Sequence, residues 1–310
     1  MDVSVELAPR NQKGLRLQNP LMLASGTCGY VTELEGVTDI HSPGAFVCKG
    51  TTLKPGKGNP QPRIAEVTSG MLNAIGLENI GIDSLISNQA PTWNRLGVCV
   101  IVNIAGSNTE EYVEIARRLE GTEGISGIEL NISCPNVKSG GVEFGLDPET
   151  AATITREVKC VTTLPLIVKL SPGAASVSDI ATAVTKAGAD ALTLINTFKG
   201  MAIDINRRRP LLGNTTGGLS GPILKPVALA MVYETARLVD VPLIACGGIS
   251  SAEDAIEFIM AGASAVQVGT AFLVDPCIPG NILTGIKAFL SEQEVSSINK
   301  LIGCAVTNSK

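Results

Sequence analysis

Two lysines stand at the ends of apolar runs, Lys49 at the close of Ala45–Lys49 and Lys169 within Pro165–Leu170. A lysine at the end of a buried strand loses hydration and requires an anionic or polar partner, so both mark a place where charge is used. The segment Asn131-Ile132-Ser133-Cys134-Pro135-Asn136 sets a thiol between two asparagines and before a proline. A thiol there can take a proton or attack a substrate, provided the site supports the thiolate. Cys28, which also follows an apolar run, is the rival for that role. Asn73, Asn131, Asn136 and Asn196 each offer two donors and an acceptor, a set that suits a heterocycle rich in ring N–H and C=O groups. Asn73-Ala74-Ile75-Gly76-Leu77 lies in a long connection whose backbone and amide can close over a small planar ligand. Cys246-Gly247-Gly248-Ile249-Ser250 and Gly269-Thr270-Ala271 are two glycine-bearing turns, read either as ordinary tight turns or as a phosphate cradle.

These groups need a scaffold that brings them together. Eight short aliphatic runs recur along the chain: Leu21–Ser25, Ala45–Lys49, Val98–Ile104, Gly127–Ser133, Pro165–Leu170, Ala191–Thr197, Pro242–Gly247 and Ala265–Gly269. Near-continuous apolar runs are the mark of parallel strands covered on both faces. Amphipathic helices are predicted between them over Thr109–Leu119, Asp147–Val161, Ser178–Ala187, Pro226–Val239 and Ala252–Ala261. Eight alternating units predict an α/β fold, a closed (β/α)8 barrel of the TIM type, formed by residues 1–310 as one domain. Val3–Leu7 and Leu15–Leu17 read as a hairpin at the barrel bottom. Gly50–Gly97 after the second strand and Phe198–Pro222 after the sixth are long enough to be lids or binding loops. In a barrel, Ser25, Lys49, Asn103, Asn131, Lys169, Asn196-Thr197, Gly247-Gly248 and Gly269-Thr270 all fall at strand ends, on the face where active sites are built.

Composition narrows the chemistry. The chain carries 24 Lys plus Arg against 29 Asp plus Glu, a formal charge of −5, and only 3% aromatic residues. That balance argues against a general nucleic-acid binder and against base-stacking platforms. Among eight cysteines no two are separated by two residues, so neither zinc-ribbon nor iron–sulfur spacing is present and no metal is expected. The single histidine, His41, precedes the second strand, on the wrong side of a barrel for catalysis, which leaves no Ser-His-Asp triad. Met1-Asp2-Val3-Ser4-Val5-Glu6 has acids where a signal peptide has bases, and no apolar run is long enough to span a bilayer, so a soluble, cytoplasmic protein with reduced thiols is expected. Apart from Cys134, the cysteines are expected to pack in the core.

Taken in order, Leu23-Ala24-Ser25-Gly26-Thr27, Met71-Leu72-Asn73-Ala74-Ile75-Gly76-Leu77, Asn131-Ile132-Ser133-Cys134-Pro135-Asn136-Val137, Val168-Lys169-Leu170, Ile195-Asn196-Thr197, Gly200-Met201-Ala202-Ile203-Asp204 and Gly217-Gly218-Leu219-Ser220-Gly221 resemble the flavin-dependent dihydroorotate dehydrogenases, specifically the NAD-linked subclass of class 1 (class 1B). The resemblance covers nearly the whole chain. It implies oxidation of dihydroorotate to orotate, the redox step of pyrimidine biosynthesis, with one FMN in the barrel mouth. Hydride would pass from C6 to flavin N5, and Cys134 would take the C5 proton; the membrane-associated class has Ser at this position. Ser25, Lys49, Gly50, Asn103, Asn131, Lys169, Ile195 and Gly221 map to FMN, and Gly247, Gly248, Gly269 and Thr270 to its phosphate. Lys49, Asn73, Ala74, Ile75, Gly76, Leu77, Asn131, Asn136, Asn196 and Thr197 map to the substrate. Cys28-Gly29-Tyr30 and Phe272 depart from the family's usual residues, at positions expected on rim loops.

The resemblance also implies a partner subunit carrying FAD and a 2Fe-2S cluster, in a heterotetramer of two catalytic and two electron-transfer chains. This chain has neither cluster spacing nor a Gly-x-Gly-x-x-Gly fingerprint after a strand, so electrons bound for NAD would leave through that partner. Arg207-Arg208-Arg209 reads first as a solvated surface, with substrate attraction or partner docking as lesser alternatives. Rival readings are another FMN or phosphate-binding barrel resembling IMP dehydrogenase, a fumarate-linked class 1 enzyme, and a ligand-binding or assembly barrel without catalysis. The strand-end lysines together with Cys134 speak against the last.

Overall fold

The structure, a computed structural model, describes residues 1–133, 135–136 and 142–307. The apolar runs form eight strands: β1 (Leu21–Leu23), β2 (Ala45–Val47), β3 (Val100–Ile104), β4 (Gly127–Asn131), β5 (Leu166–Lys169), β6 (Ala191–Leu194), β7 (Leu243–Cys246) and β8 (Ala263–Val268). Each pairs in parallel with its neighbours in sequence, and β8 returns to β1 through Val266↔Leu21 and Val268↔Leu23, which closes the barrel. β1, β2, β3, β5 and β6 are buried at every residue, because helices cover the outer face and side chains fill the inner one.

The helices are α1 (Ala90–Leu96), α2 (Thr109–Leu119), α3 (Pro148–Lys159), α4 (Val177–Lys186), α5 (Lys225–Ala236), α6 (Ala252–Met260), α7 (Thr270–Val274) and α8 (Ile278–Glu292). Asn108, Asp147, Ser176 and Ser251 cap α2, α3, α4 and α6, each side chain accepting from the backbone N–H three residues on. Such caps contribute about 1 kcal/mol apiece and explain why these helices start where they do. The first unit differs from the expected pattern. Between β1 and β2 the chain makes a 3₁₀ turn over Thr32–Leu34, flanked by left-handed Val31 (φ 72°) and Gly36 (φ 80°), which interrupt any longer helix.

The N-terminal hairpin pairs Val5–Glu6 with Arg16–Leu17 and buries Leu7, Leu15 and Leu17. Its polar edge grips residues just ahead of β6 and β7: Asn11 Nδ2 donates to Asp190 (3.1 Å), and Arg10 pairs with Asp240 (2.6 Å). These lie at strand N-termini, so the hairpin closes the barrel bottom as its sequence suggested. Glu120 secures the same end, accepting from Thr162 Oγ1 (2.7 Å) and from the Thr163 backbone and hydroxyl. Burial alone would raise the Glu120 carboxyl, but the hydrogen bonds from Thr163 and Thr162, with the charge of Lys13, outweigh it and hold it down to about 2. Its folded value is depressed, so its stabilisation is present above the ordinary 4.5 and is lost as pH falls from there toward 2. Melting curves of Glu120→Gln and the parent chain should therefore differ at neutral pH and converge in that acid window; a gap that persists undiminished would refute the assignment.

The two long connections are not independent loops. Ile64–Val67, Gly70–Asn73, Gly217–Ser220 and Phe198–Gly200 form one four-stranded antiparallel sheet, joined across the connections by Leu219↔Leu72 and Gly218↔Asn73. A small core of Leu72, Ala74 and Leu212 lies beneath it. Ile203–Asp204 pairs with Arg209–Pro210 in a further hairpin, on which Arg207, Arg208 and Arg209 are all exposed, in keeping with a solvated surface. Among the described residues no helix is long and apolar enough to cross a membrane.

One expectation about packing needs correction. Cys28 and Cys48 are buried, but Cys160, Cys277 and Cys304 are exposed and so are not core residues. Cys28 and Tyr30 follow the C-terminal end of β1 and Phe272 that of β8, as expected, but they are buried, at 1%, 6% and 3% exposure. Tyr30 ties the first loop to the connection after β2: its carbonyl accepts from Trp93 Nε1 (2.7 Å) and its hydroxyl from the Ile80 backbone (3.1 Å).

Candidate active site at the barrel mouth

Parallel strands in register carry their C-terminal residues to one rim, and here the last turn of the barrel interior is polar. In-register pairing sets Asn103 beside Glu129, Lys169 beside both Asn131 and Thr193, and Cys246 beside Gln267. Glu129 is fully buried and is the hub of this layer. It accepts from Asn103 Nδ2 (2.8 Å), Thr193 Oγ1 (2.9 Å) and Gln267 Nε2 (2.8 Å), with Lys169 Nζ at 3.9 Å. Lys169 is itself 6% exposed. Burial would lower its ammonium pKa, but the neighbouring Glu129 carboxylate outweighs that and holds it above the ordinary lysine value.

Above this layer the asparagines interlock. Asn131 Oδ1 accepts from Asn196 Nδ2 (3.2 Å) and from the Ser133 backbone (3.2 Å), while Tyr112 of α2 donates to the Asn131 carbonyl (2.7 Å). Asn196 Oδ1 in turn accepts from the Thr197 backbone (2.8 Å). Thr197 packs directly on Gly218, where a Cβ would collide with its hydroxyl, and Asn73 Nδ2 donates to the Gly218 carbonyl (3.2 Å). The strand ends and the sheet of the long connections are thus joined through Thr197, Gly218 and Asn73.

The other rim residues close the ring. Ser25 Oγ donates to the Cys48 carbonyl (3.0 Å). A Cβ on Gly50 would lie 3.0 Å from Asn103 Oδ1 and 3.3 Å from Leu77 Cδ2, so only glycine leaves that space open. Ile195 is buried, with its backbone N–H on the Cys246 carbonyl (2.8 Å). Gly248 (φ 76°) runs so close to α5 that a Cβ would lie 2.5 Å from Lys225 N. Asp254 steadies that turn, accepting from the Ser250 backbone and hydroxyl (2.8 and 2.9 Å) and from Lys225 Nζ (2.5 Å). Thr270 Oγ1 reaches Ser220 Oγ (2.8 Å), joining the end of β8 to the second connection beside Gly221.

Lys49 is half-buried, and none of the ion pairs among the described residues includes it. Ala74, Ile75 and Gly76 are held differently from Asn73: Ala74 belongs to the small core, while Asn59 N donates to Ile75 O (3.0 Å) and packs on Gly76. Cys134 and the side chain of Asn136 lie outside the described residues; the backbone of Pro135–Asn136 pairs with Val142–Glu143. The rival thiol fares poorly. Cys28 Sγ is turned onto the Val47 carbonyl (3.1 Å), and burial pushes its pKa far above that of a free thiol. Cys48 is pushed up to about 12 by the same cause.

The sequence reading missed Glu129, Thr193 and Gln267. The signal was present in the two-residue period of a strand: Glu129 shares a face with Asn131, two positions on. A 630 Å³ groove at the opposite end, lined among others by Lys13, Arg16, Thr122 and Glu123, contains none of these strand-end groups. The mouth combines an orphaned acceptor, since Asn103 Oδ1 is buried without a partner among the described residues, with a charged lysine and glycine-lined close approaches. That combination suits a planar, N–H-bearing ring attached to an anionic tail.

Sequence comparison gives the same direction. The sequence model described as dihydroorotate dehydrogenase matches residues 8–290. The chain is 52% identical to the dihydroorotate dehydrogenase B (NAD(+)) catalytic subunit of Citrifermentans bemidjiense, over 97% of each protein. It is 50% identical to that of Geotalea uraniireducens over 99% of each, and 51% identical to that of Desulforamulus reducens over 94% of this chain and 96% of the relative. The match spans every barrel strand and both long connections, and the chain belongs to the dihydroorotate dehydrogenase family.

Proposed function

We propose that the chain is the catalytic subunit of an NAD-linked dihydroorotate dehydrogenase, oxidising dihydroorotate to orotate in pyrimidine biosynthesis. The observation that carries this is 52% identity over 97% of the chain to a relative of that name. The mouth residues fit FMN: Asn103 Oδ1 offers an unpaired buried acceptor and Lys169 a buried cation. Ser25, Lys49, Gly50, Asn103, Asn131, Lys169, Ile195 and Gly221 would hold the ring and its chain, and Gly247, Gly248, Gly269 and Thr270 the phosphate. When bound, FMN supplies the hydride acceptor.

The chain's own residues then do the rest. Lys49, Asn73, Asn131, Asn136, Asn196 and Thr197 bind and orient the substrate, with Ala74–Leu77, which follow the strand Gly70–Asn73, closing over it. The Asn131–Asn196 contact fixes both amides, which lowers the ordering cost of binding a planar ring. Cys134 takes the C5 proton. A thiol is acidic enough to serve as base without a histidine, and His41 is exposed and held by its carbonyl to Gln18 near the barrel bottom. Electrons continue to NAD through a separate subunit with FAD and a 2Fe-2S cluster, two of each chain assembling in the cytoplasm.

Purified protein should show a flavin absorption band, and dihydroorotate should bleach it on rapid anaerobic mixing. Absence of the band after FMN addition would sink the reading, and NAD reduction by the chain alone would sink the partner route. Gly248→Ala should weaken FMN at least about tenfold, because Lys225 N blocks the new Cβ and left-handed strain adds roughly 1–3 kcal/mol. Undiminished affinity in a fluorescence titration would show that this turn does not hold the phosphate.

A further inference from the structure

Glu129 has no role in the reading so far, yet it is fully buried and accepts three side-chain hydrogen bonds. Its carboxylate draws donors from β3, β6 and β8, and the Lys169 ammonium of β5 stands at 3.9 Å. Taking a carboxylate out of water costs several kcal/mol even after relaxation, and apolar side chains of similar volume stabilise such a site equally well or better. Stability alone therefore does not account for it. Two consequences of its position do.

The first concerns Asn103. Because Nδ2 is engaged by Glu129, the carboxamide has one orientation, and Oδ1 is left as a buried acceptor next to Gly50. The second concerns Lys169. Among the described residues the titratable groups acting on it are Glu129 from β4 and the Cys246 thiol from β7. Burial pushes the Cys246 thiol up even with Lys169 beside it, so it is neutral at neutral pH and Glu129 is the only counter-charge of the two. We infer that Glu129 is a positioning residue for the reaction proposed above: it keeps Lys169 charged and Asn103 in a single orientation at the floor of the flavin site. The inference rests on that reading for its purpose, but its physical content belongs to this chain alone.

The test reads Lys169 directly in the full chain, by NMR titration of isotope-labelled lysine side chains, with the Lys169 signal assigned by its loss in Lys169→Met. Glu129→Gln should lower the Lys169 midpoint by at least about one pH unit, a tenfold loss of proton affinity. Thr193→Val removes one donor to Glu129 but leaves its charge, and should move the midpoint little. In the FMN-loaded chain, the alkaline limb of the pH profile for flavin reduction should move down with the Lys169 midpoint in Glu129→Gln. An unchanged midpoint in Glu129→Gln, or an equal shift in Thr193→Val, would overturn the inference.

A thermal comparison covers the case in which Glu129→Gln fails to fold. Lys169→Met leaves Glu129 an uncompensated buried charge, so Glu129→Met/Lys169→Met should melt higher than Lys169→Met; a double variant that melts no higher would overturn the inference. The midpoint and the melting comparison need no flavin. Failure to take up FMN would thus strike the proposed function, whereas flavin reduction with an unmoved Lys169 midpoint would strike the role of Glu129.

Discussion

Cys134→Ala is expected to bind orotate as tightly as the parent protein and yet to reduce its flavin with dihydroorotate about 10³-fold more slowly at neutral pH, within the range a positioned general base supplies. Asn131 Oδ1 keeps the Ser133 backbone and Asn196 Nδ2, neither of which depends on the thiol. On the proposed reading, what is lost is the acceptor for the C5 proton, and none of the described groups at the mouth replaces it. Lys169 is held as an ammonium, and Cys48 is pushed up to about 12 behind the rim. The parent rate should rise with pH as the thiol ionises and then level, whereas the Cys134→Ala rate should lack that limb. Rapid-mixing reduction across pH measures both, and an unchanged rate would reject Cys134 as the base.

The parts of this site that could be read from sequence share a physical cause. Strands buried on both faces spell themselves as unbroken aliphatic runs, and where such a run stops the next polar residue must be at a rim. That logic reaches Lys49, Asn103, Asn131, Lys169 and Asn196 without a structure. It fails for Glu129, because a charged residue inside a run reads as a break in the apolar pattern. Only the barrel shows that β3, β5, β6 and β8 aim complementary groups at it. It fails again for the sheet over the mouth. Those strands are short and glycine-bearing, and half-exposed where Ile64–Val67 alternates, so locally they look like loop. Their pairing joins Gly218 to Asn73, which no local pattern encodes. Cys28 misleads for a third reason: the turn after β1, with Thr27 N on the Ala24 carbonyl, folds the thiol back under β2 and away from the rim.

The two strand-end lysines were equivalent as sequence and are opposite as electrostatics. Lys169 has a counter-ion within the barrel, the Glu129 carboxylate at 3.9 Å, which holds it as an ammonium. Lys49 is half-buried at the end of β2 with no described carboxylate beside it, and its backbone N–H is fixed on the Gly29 carbonyl (2.9 Å). On the proposed reading, a cation with no counter-ion among the described residues, at the mouth of a negatively charged protein, is well placed to meet an anionic substrate. Lys49→Met should therefore lower kcat/KM for dihydroorotate about 10²–10³-fold, roughly 3–4 kcal/mol, the scale for removing one donor aimed at developing charge. Orotate affinity should fall with it, and lose part of its dependence on ionic strength. Lys49→Arg should recover charge but not rate, because a planar guanidinium does not replace a point ammonium. Melting temperature should stay near that of the parent, since no described ion pair is broken, and this separates Lys49 from Lys169, whose removal strands Glu129. Steady-state kinetics with orotate titrations at two salt concentrations decide the matter: Lys49→Met with parental orotate affinity and rate would remove Lys49 from the site.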